Sequence, residues 1–205
     1  PPAPPWRRGE RDPADGAPLW RLVDFADALD AQSRAGVESA LEASGLLDAW
    51  IRADGAVLDA DGCDVVLPVG PPTPAGSRLD TALRPDTPDG GPVDATVVRS
   101  VLARVALAGT DEVGADEVDA DIPAVVGTDG SWRLGPLTGR TTKPVAQYVG
   151  ATARAAERAR RLAELDARIA ALAATRDGAR DAETAAREAR AAIEAWLTGV
   201  PSTSA

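Results

Sequence analysis

Four stretches of this 205-residue chain carry residue types that could do chemistry. Asp59, Asp61, Gly62 and Asp64 superficially resemble the opening of a calcium-binding loop, in which alternate carboxylates ligate a hard cation. Such a loop closes with a bidentate Glu at its twelfth position, where Gly70 stands here, so the spacing reads as turn chemistry. The run Gly135-Pro136-Leu137-Thr138-Gly139-Arg140-Thr141-Thr142-Lys143 is glycine-rich and ends in lysine, as phosphate loops do. It lacks their Gly-Lys-Ser/Thr core, and reads better as a hairpin exit running into a helix start. Acids crowd positions 111–121 and could gather a divalent ion weakly, although a run of like charge is ordinarily a solvated loop. Arg154, Arg158, Arg160 and Arg161 could meet DNA phosphates, but Glu157 and Glu164 offer them ion pairs along one helix surface.

Composition narrows the chemistry further. With no His there is no Ser-His-Asp or Cys-His site, and one cysteine, Cys63, makes neither an intrachain disulfide nor a four-thiolate zinc site. Cys63 reads as a small buried hydrophobe. The expectation is a non-enzymatic region with no catalytic residue, no metal and no cofactor. Of the 32 acidic groups, 24 fall in residues 1–150 against 13 basic ones, while residues 151–205 hold nine basic and eight acidic groups. Net negative charge argues against a phosphate-binding surface on the first 150 residues. No segment reaches the roughly 20 apolar residues of a membrane span, and with one cysteine the expected location is the cytoplasm. The missing initiator Met suggests a piece of a longer protein.

The elements that would position these residues follow from pattern. Residues 1–17 read as a Pro-rich linker, and 18–145 as a small mixed α+β domain with hairpins and about three helices. Leu19 to Phe25 reads as one buried strand. Asp30 or Ser33 can cap a helix of about 12 residues, with Val37, Ala40 and Leu41 at helical spacing, ended by Gly45. Leu46 to Arg52 reads as a strand turning at Ala53-Asp54-Gly55 into Ala56 to Leu58, and Asp64 to Pro68 as a further strand. A short helix is expected over Leu79 to Leu83, and a longer one over Val93 to Leu107. Asp129-Gly130 marks a hairpin between Ala124 to Thr128 and Ser131 to Leu134, after which Gly135, Pro136 and Gly139 break regularity.

Residues 146–198 read as one long coiled-coil helix, started by Pro144 near Val145, with a disordered tail at 199–205. Leu162, Leu165, Ile169 and Leu172 follow the 3-4-3 spacing of a coiled-coil seam. The same register then meets Arg176, Glu183 and Arg190. Restarting after Leu172 brings Ile193 and Trp196 into a small-residue seam instead, so the repeat slips near Thr175 to Gly178, and an elbow is expected there.

The order LWRLVDF, SRAGVESALEASG, LLDAWIR resembles the opening of the hinge domain of structural-maintenance-of-chromosomes (SMC) ATPases, with Val37, Glu38, Ala40, Leu41 and Gly45 matching its helix. The stretches PLWRLVDF, LEASGLLDAW and SWRLGPLTGRTTKPVAQYVGATARAAERARRLAEL look like the middle region of the large SMC-like ATPases of bacterial Wadjet-type plasmid-defence operons. That resemblance implies a hinge joining coiled-coil arms, self-association, an upstream arm as companion of the helix, and operon partner subunits. It implies an indirect association with DNA, and ATP hydrolysis elsewhere in the parent. Gly90, Gly91, Gly135 and Gly139 are its candidate hinge glycines, and the junction of domain and arm falls at Lys143 to Gly150, including Tyr148. The rival readings are an interaction module inserted in a coiled coil, binding a partner subunit through its acidic loops, and a small-molecule enzyme with a deep polar pocket.

Overall fold

The computed structural model describes residues 11–55, 64–74, 76–88, 90–109 and 122–199, in one unit ending at Glu157 and another beginning at Arg158. The expectations for the linker before residue 11, the strand at 56–58, Asp59, Asp61, Gly62, Cys63, the acidic run 111–121 and the tail after Gly199 lie outside the described residues.

The first unit is a mixed α+β domain. Strand β1 (Gly16–Pro18) leads into a single helical turn, α1 (Leu19–Leu22), and then β2 (Val23–Phe25). The strand expected over Leu19 to Phe25 is thus broken. Leu19 and Leu22, three apart, are both buried while Arg21 is exposed, which is a helical and not an alternating pattern. β1 pairs antiparallel with β3 (Trp50–Arg52), placing Gly16 opposite Arg52, so residues expected in a linker are part of a sheet. Arg11 is drawn in as well, donating to both oxygens of Asp64 and lying 4.9 Å from the Trp50 ring centre.

Helix α2 (Ala31–Ala43) forms where its signals place it. The Asp30 carboxylate caps it, accepting from the amides of Gln32 at 2.9 Å and Ser33 at 3.0 Å, and Gly45 at φ 79° turns the chain out. The Ser33 hydroxyl, which also donates to Asp30, does most to hold that carboxyl below its ordinary pKa. The segment after Gly45 opens with a 3-10 turn, Leu46–Asp48, which buries Leu46 and Leu47, so only Trp50–Arg52 is extended. Of the strand expected at Asp64 to Pro68 only a single parallel bridge, Val66 to Trp50, is present.

Helix α3 (Leu79–Ala82) forms as expected and runs directly into β4 (Leu83–Pro85), which pairs antiparallel with β2. Helix α4 (Ala95–Leu102), capped by Asp94, stops short of the expected Leu107 because Ala106–Ala108 form β5. β5 pairs parallel with β6 (Ala124–Gly127), and β6 forms the expected hairpin with β7 (Ser131–Leu134) through Asp129-Gly130. An unforeseen strand, β8 (Leu137–Arg140), completes the four-stranded sheet. Gly135 and Pro136, expected to end regular structure, instead make a second tight turn, with Gly135 at φ 52°.

Helix α2 lies against β6, β7 and β8, and Val37 and Leu41 join Leu19, Leu102 and Val126 in one buried cluster. Each such side chain contributes on the order of 1.5–3 kcal/mol by leaving water. Helix α5 (Ala151–Gly199) begins in the first unit and, from Arg158, makes up the described part of the second. At 49 residues it is roughly 74 Å long. Its start at Ala151 corrects the expected start near Val145, and it runs without a break through Thr175 and Gly178. Pairs at i,i+4 spacing (Arg160–Glu164, Arg187–Glu183, Arg190–Glu194) dress its exposed surface.

Candidate functional site

The segment between β8 and α5 is neither helix nor strand, and three of its backbone amides are held by one side chain. α2 is buried along Ala35 to Leu41, and within that run stands Glu38, fully shielded from solvent. A charge so placed must be matched by donors, because an isolated buried carboxylate is far costlier than any single bond could offset. The donors come from the strap, residues 141–150. The amide of Gln147 donates to one Glu38 oxygen at 2.6 Å, and those of Tyr148 and Val149 donate to the other at 2.9 and 2.8 Å. The Lys143 ammonium adds a fourth bond at 2.9 Å and also donates to Glu42. Its nitrogen lies 5.0 Å from the centre of the Tyr148 ring.

The strap ends at Gly150, whose φ of 83° and whose approach to Asp24 leave no room for a side chain: a Cβ there would stand 2.3 Å from an Asp24 oxygen. The first turn of α5 then returns to the domain. The Arg154 amide donates to the Gly150 carbonyl at 3.1 Å, while its guanidinium donates to the carbonyls of Trp20 at 3.1 Å and Tyr148 at 3.2 Å. The guanidinium carbon also stands 5.9 Å from the Trp20 ring centre. Val149 is fully buried in the main cluster, so the strap is fastened by packing as well as by hydrogen bonds.

Burial, the largest single influence on the Lys143 ammonium, pulls its pKa down. The hydrogen bonds and charges of Glu42 and Glu38 together outweigh it and leave the pKa above the ordinary lysine value. A raised folded-state pKa means that the stabilisation from Lys143 is fully present below the unfolded pKa of about 10.4 and is lost as pH rises through the folded value. The stability difference between the wild type and a Lys143→Gln variant should therefore be constant from neutrality to about pH 10 and shrink above it. Urea unfolding at several pH values measures this, and a difference that grows towards pH 11 would refute it.

The expected site residues fall into four places. Lys143, Tyr148 and Gly150 come together in the strap. Gly135 and Gly139 lie on the β7–β8 hairpin, where Gly139 faces Trp132 across the pair and the indole occupies the space a Cβ would need. Gly90 and Gly91 lie in the loop after β4, Gly90 at φ 73°. The seam residues Leu162, Leu165, Ile169, Leu172, Ile193 and Trp196 are all exposed, by 54 to 69%. Glu38 and Arg154 were not foreseen as parts of one site. The signal for Glu38 was present: an acidic residue between Val37 and the buried Ala40-Leu41 pair.

Among the described residues, two clefts of the first unit flank the strap. One, of about 400 Å³, is lined by polar groups including Asp30, Ser33, Asp129, Arg140 and Lys143. Those groups engage one another and their neighbours: Asp30 caps α2, Arg140 pairs with Asp129 at 2.9 Å, and Lys143 bonds Glu38 and Glu42. The other, of about 430 Å³, lies between the strap, the first turns of α5 and β2, with Phe25, Val149 and Ala153 alongside Arg34 and Arg84. Arg34 donates to the Leu29 carbonyl, and Arg84 pairs with Asp27. The arrangement is suited to holding chain segments together. Among the described residues no group of three or more Asp, Glu, Cys or His side chains is placed to hold a metal ion, and no helix is long and apolar enough to cross a membrane. No family model, curated protein or solved structure matches this chain.

Proposed function

We propose that this chain is the non-catalytic, hinge-like middle region of an SMC-like ATPase of the Wadjet plasmid-defence type, joining coiled-coil arms and helping to dimerise a DNA-loading or DNA-extruding complex. The observation that carries the reading is a 49-residue helix whose seam-spaced leucines and isoleucines are exposed, growing from an α+β domain through a strap pinned to a buried carboxylate. A helix of this length with an uncovered apolar stripe is stable as an arm when another helix covers it. In this role the domain passes on ATP-driven motion made elsewhere in the parent, and its contact with DNA is indirect.

Light scattering of the 205-residue chain tests the self-association. The expected result is a two-chain mass at tens of micromolar, reverting to one chain when Leu165 and Ile169 are both changed to Asp. A single-chain mass at about 100 µM in the wild type would count against it. The alternative reading, a module that binds a partner subunit, draws support from Leu137, 64% exposed on the edge strand β8 of the first unit. Pull-downs against the operon partner subunits separate the two: a hinge captures itself, and a module captures the partner.

A further inference from the structure

The bonds at the strap are connected in series. Glu38 on α2 accepts from Gln147, Tyr148 and Val149; the Tyr148 carbonyl accepts from Arg154; and the Arg154 amide donates back to Gly150. We propose that this series is a latch: the strap and the first turn of α5 dock on the rest of the first unit and leave it as one cooperative segment, with the Glu38 carboxylate as the catch.

Three features carry the inference. Convergence is the first, since three main-chain amides and one ammonium share a single carboxylate, so loss of that group unfastens all of them together. The packing beneath the strap is light: Val149 is fully buried, but Ala146 and Tyr148 are only partly so and Val145 is 55% exposed. Segments with little buried apolar area and a few shared bonds open locally, well below the free energy of global unfolding. The far end of the series is fastened to the same domain through Arg154, which links Tyr148 to Trp20, so the helix start and the strap cannot release independently without breaking these bonds. The latch is a property of the first unit and stands apart from the SMC-like reading.

Native-state hydrogen exchange on the 205-residue chain, comparing wild type with Glu38→Gln, tests it. Glutamine keeps the length of the side chain but offers one acceptor oxygen, so at least half of the donors lose their partner. In the wild type the amides of Gln147, Tyr148, Val149 and Arg154 should share one protection factor, lower than that of the hydrogen-bonded amides of β6 and β7. In the variant all four should fall together by at least about tenfold, while β6 and β7 keep their protection. A fall confined to one or two of the four amides, or exchange of all four at the rate of the sheet, overturns the proposal. If Glu38→Gln does not fold, Arg154→Gln carries the same test from the other end. It should lower protection at Gln147 to Val149, and unchanged protection there refutes the latch.

Discussion

Replacing Glu38 by alanine is expected to lower the free energy of unfolding by about 3–5 kcal/mol, the range seen when one partner of a buried charge pair is removed. The cost falls on the stranded donors and not on the carboxylate itself. Glu38 is fully buried, and its loss strands the amides of Gln147, Tyr148 and Val149 and takes one of two carboxylates from Lys143. Each buried donor left without a partner costs on the order of 1–3 kcal/mol. The sum is limited because the strap can undock and let water reach those amides; the measured loss then equals the docking free energy of the strap and no more. Urea denaturation with the slope free to vary reads both quantities, since an undocked strap lowers the surface buried in the folded state and so the slope. A loss below about 1 kcal/mol with an unchanged slope would show that the strap does not depend on Glu38.

A Gly36→Ala substitution is expected to destabilise by about 2–3 kcal/mol, although alanine is the better helix former by about 1 kcal/mol. Gly36 sits in α2 where the helix passes over the β6–β7 turn. A Cβ built there stands 1.9 Å from the carbonyl oxygen of Thr128 and 2.6 Å from its carbon, both main-chain atoms of a hydrogen-bonded hairpin. Neither can swing aside as a side chain would, so α2 must shift off β6 and carry Glu38 away from the strap. Gly178 is the internal comparison, because a Cβ there meets nothing within 4 Å, and Gly178→Ala should raise helix content in α5. Thermal unfolding followed by circular dichroism checks the pair. A higher midpoint for Gly36→Ala would mean that the close approach to Thr128 is not held in solution.

What could be read in advance depended on whether the signal was local. Asp30, the spacing of Val37, Ala40 and Leu41, and Gly45 specify α2 within its own sequence, and Asp129-Gly130 does the same for the hairpin. The three-residue strands β1, β2, β4 and β5 have no such autonomy. Each is extended because a partner far along the chain supplies its ladder, as Leu83–Pro85 does for Val23–Phe25. Val145 to Gly150 looked helical because Pro144 can open a helix and the alanine-rich pattern extends back towards it. The local preference is overridden because Gln147, Tyr148 and Val149 give their amides to Glu38, leaving none of them for a helical bond. Gly139 looked like a breaker because a glycine weakens a strand. In place it is covered by the Trp132 indole, which packs where its own side chain would. Lys143 was expected at the junction of domain and arm from its own neighbourhood, but its two carboxylate partners lie about a hundred residues upstream and leave no mark near it in the sequence.

That separation bears on how the chain folds. Glu38 and its four donors lie 105 to 111 residues apart, so the clasp closes a loop containing every strand from β3 to β8 together with α3 and α4. The entropy of closing such a loop grows only with the logarithm of its length, but it must be met before the final contacts can form. During synthesis α2 emerges long before the strap, and until residues 143–149 arrive the Glu38 carboxylate has no amides to receive it. Completion of this contact marks the moment at which the helix start becomes attached to a finished domain, and any arrest upstream of Val149 leaves a charged group facing an unfilled site in an otherwise assembled core.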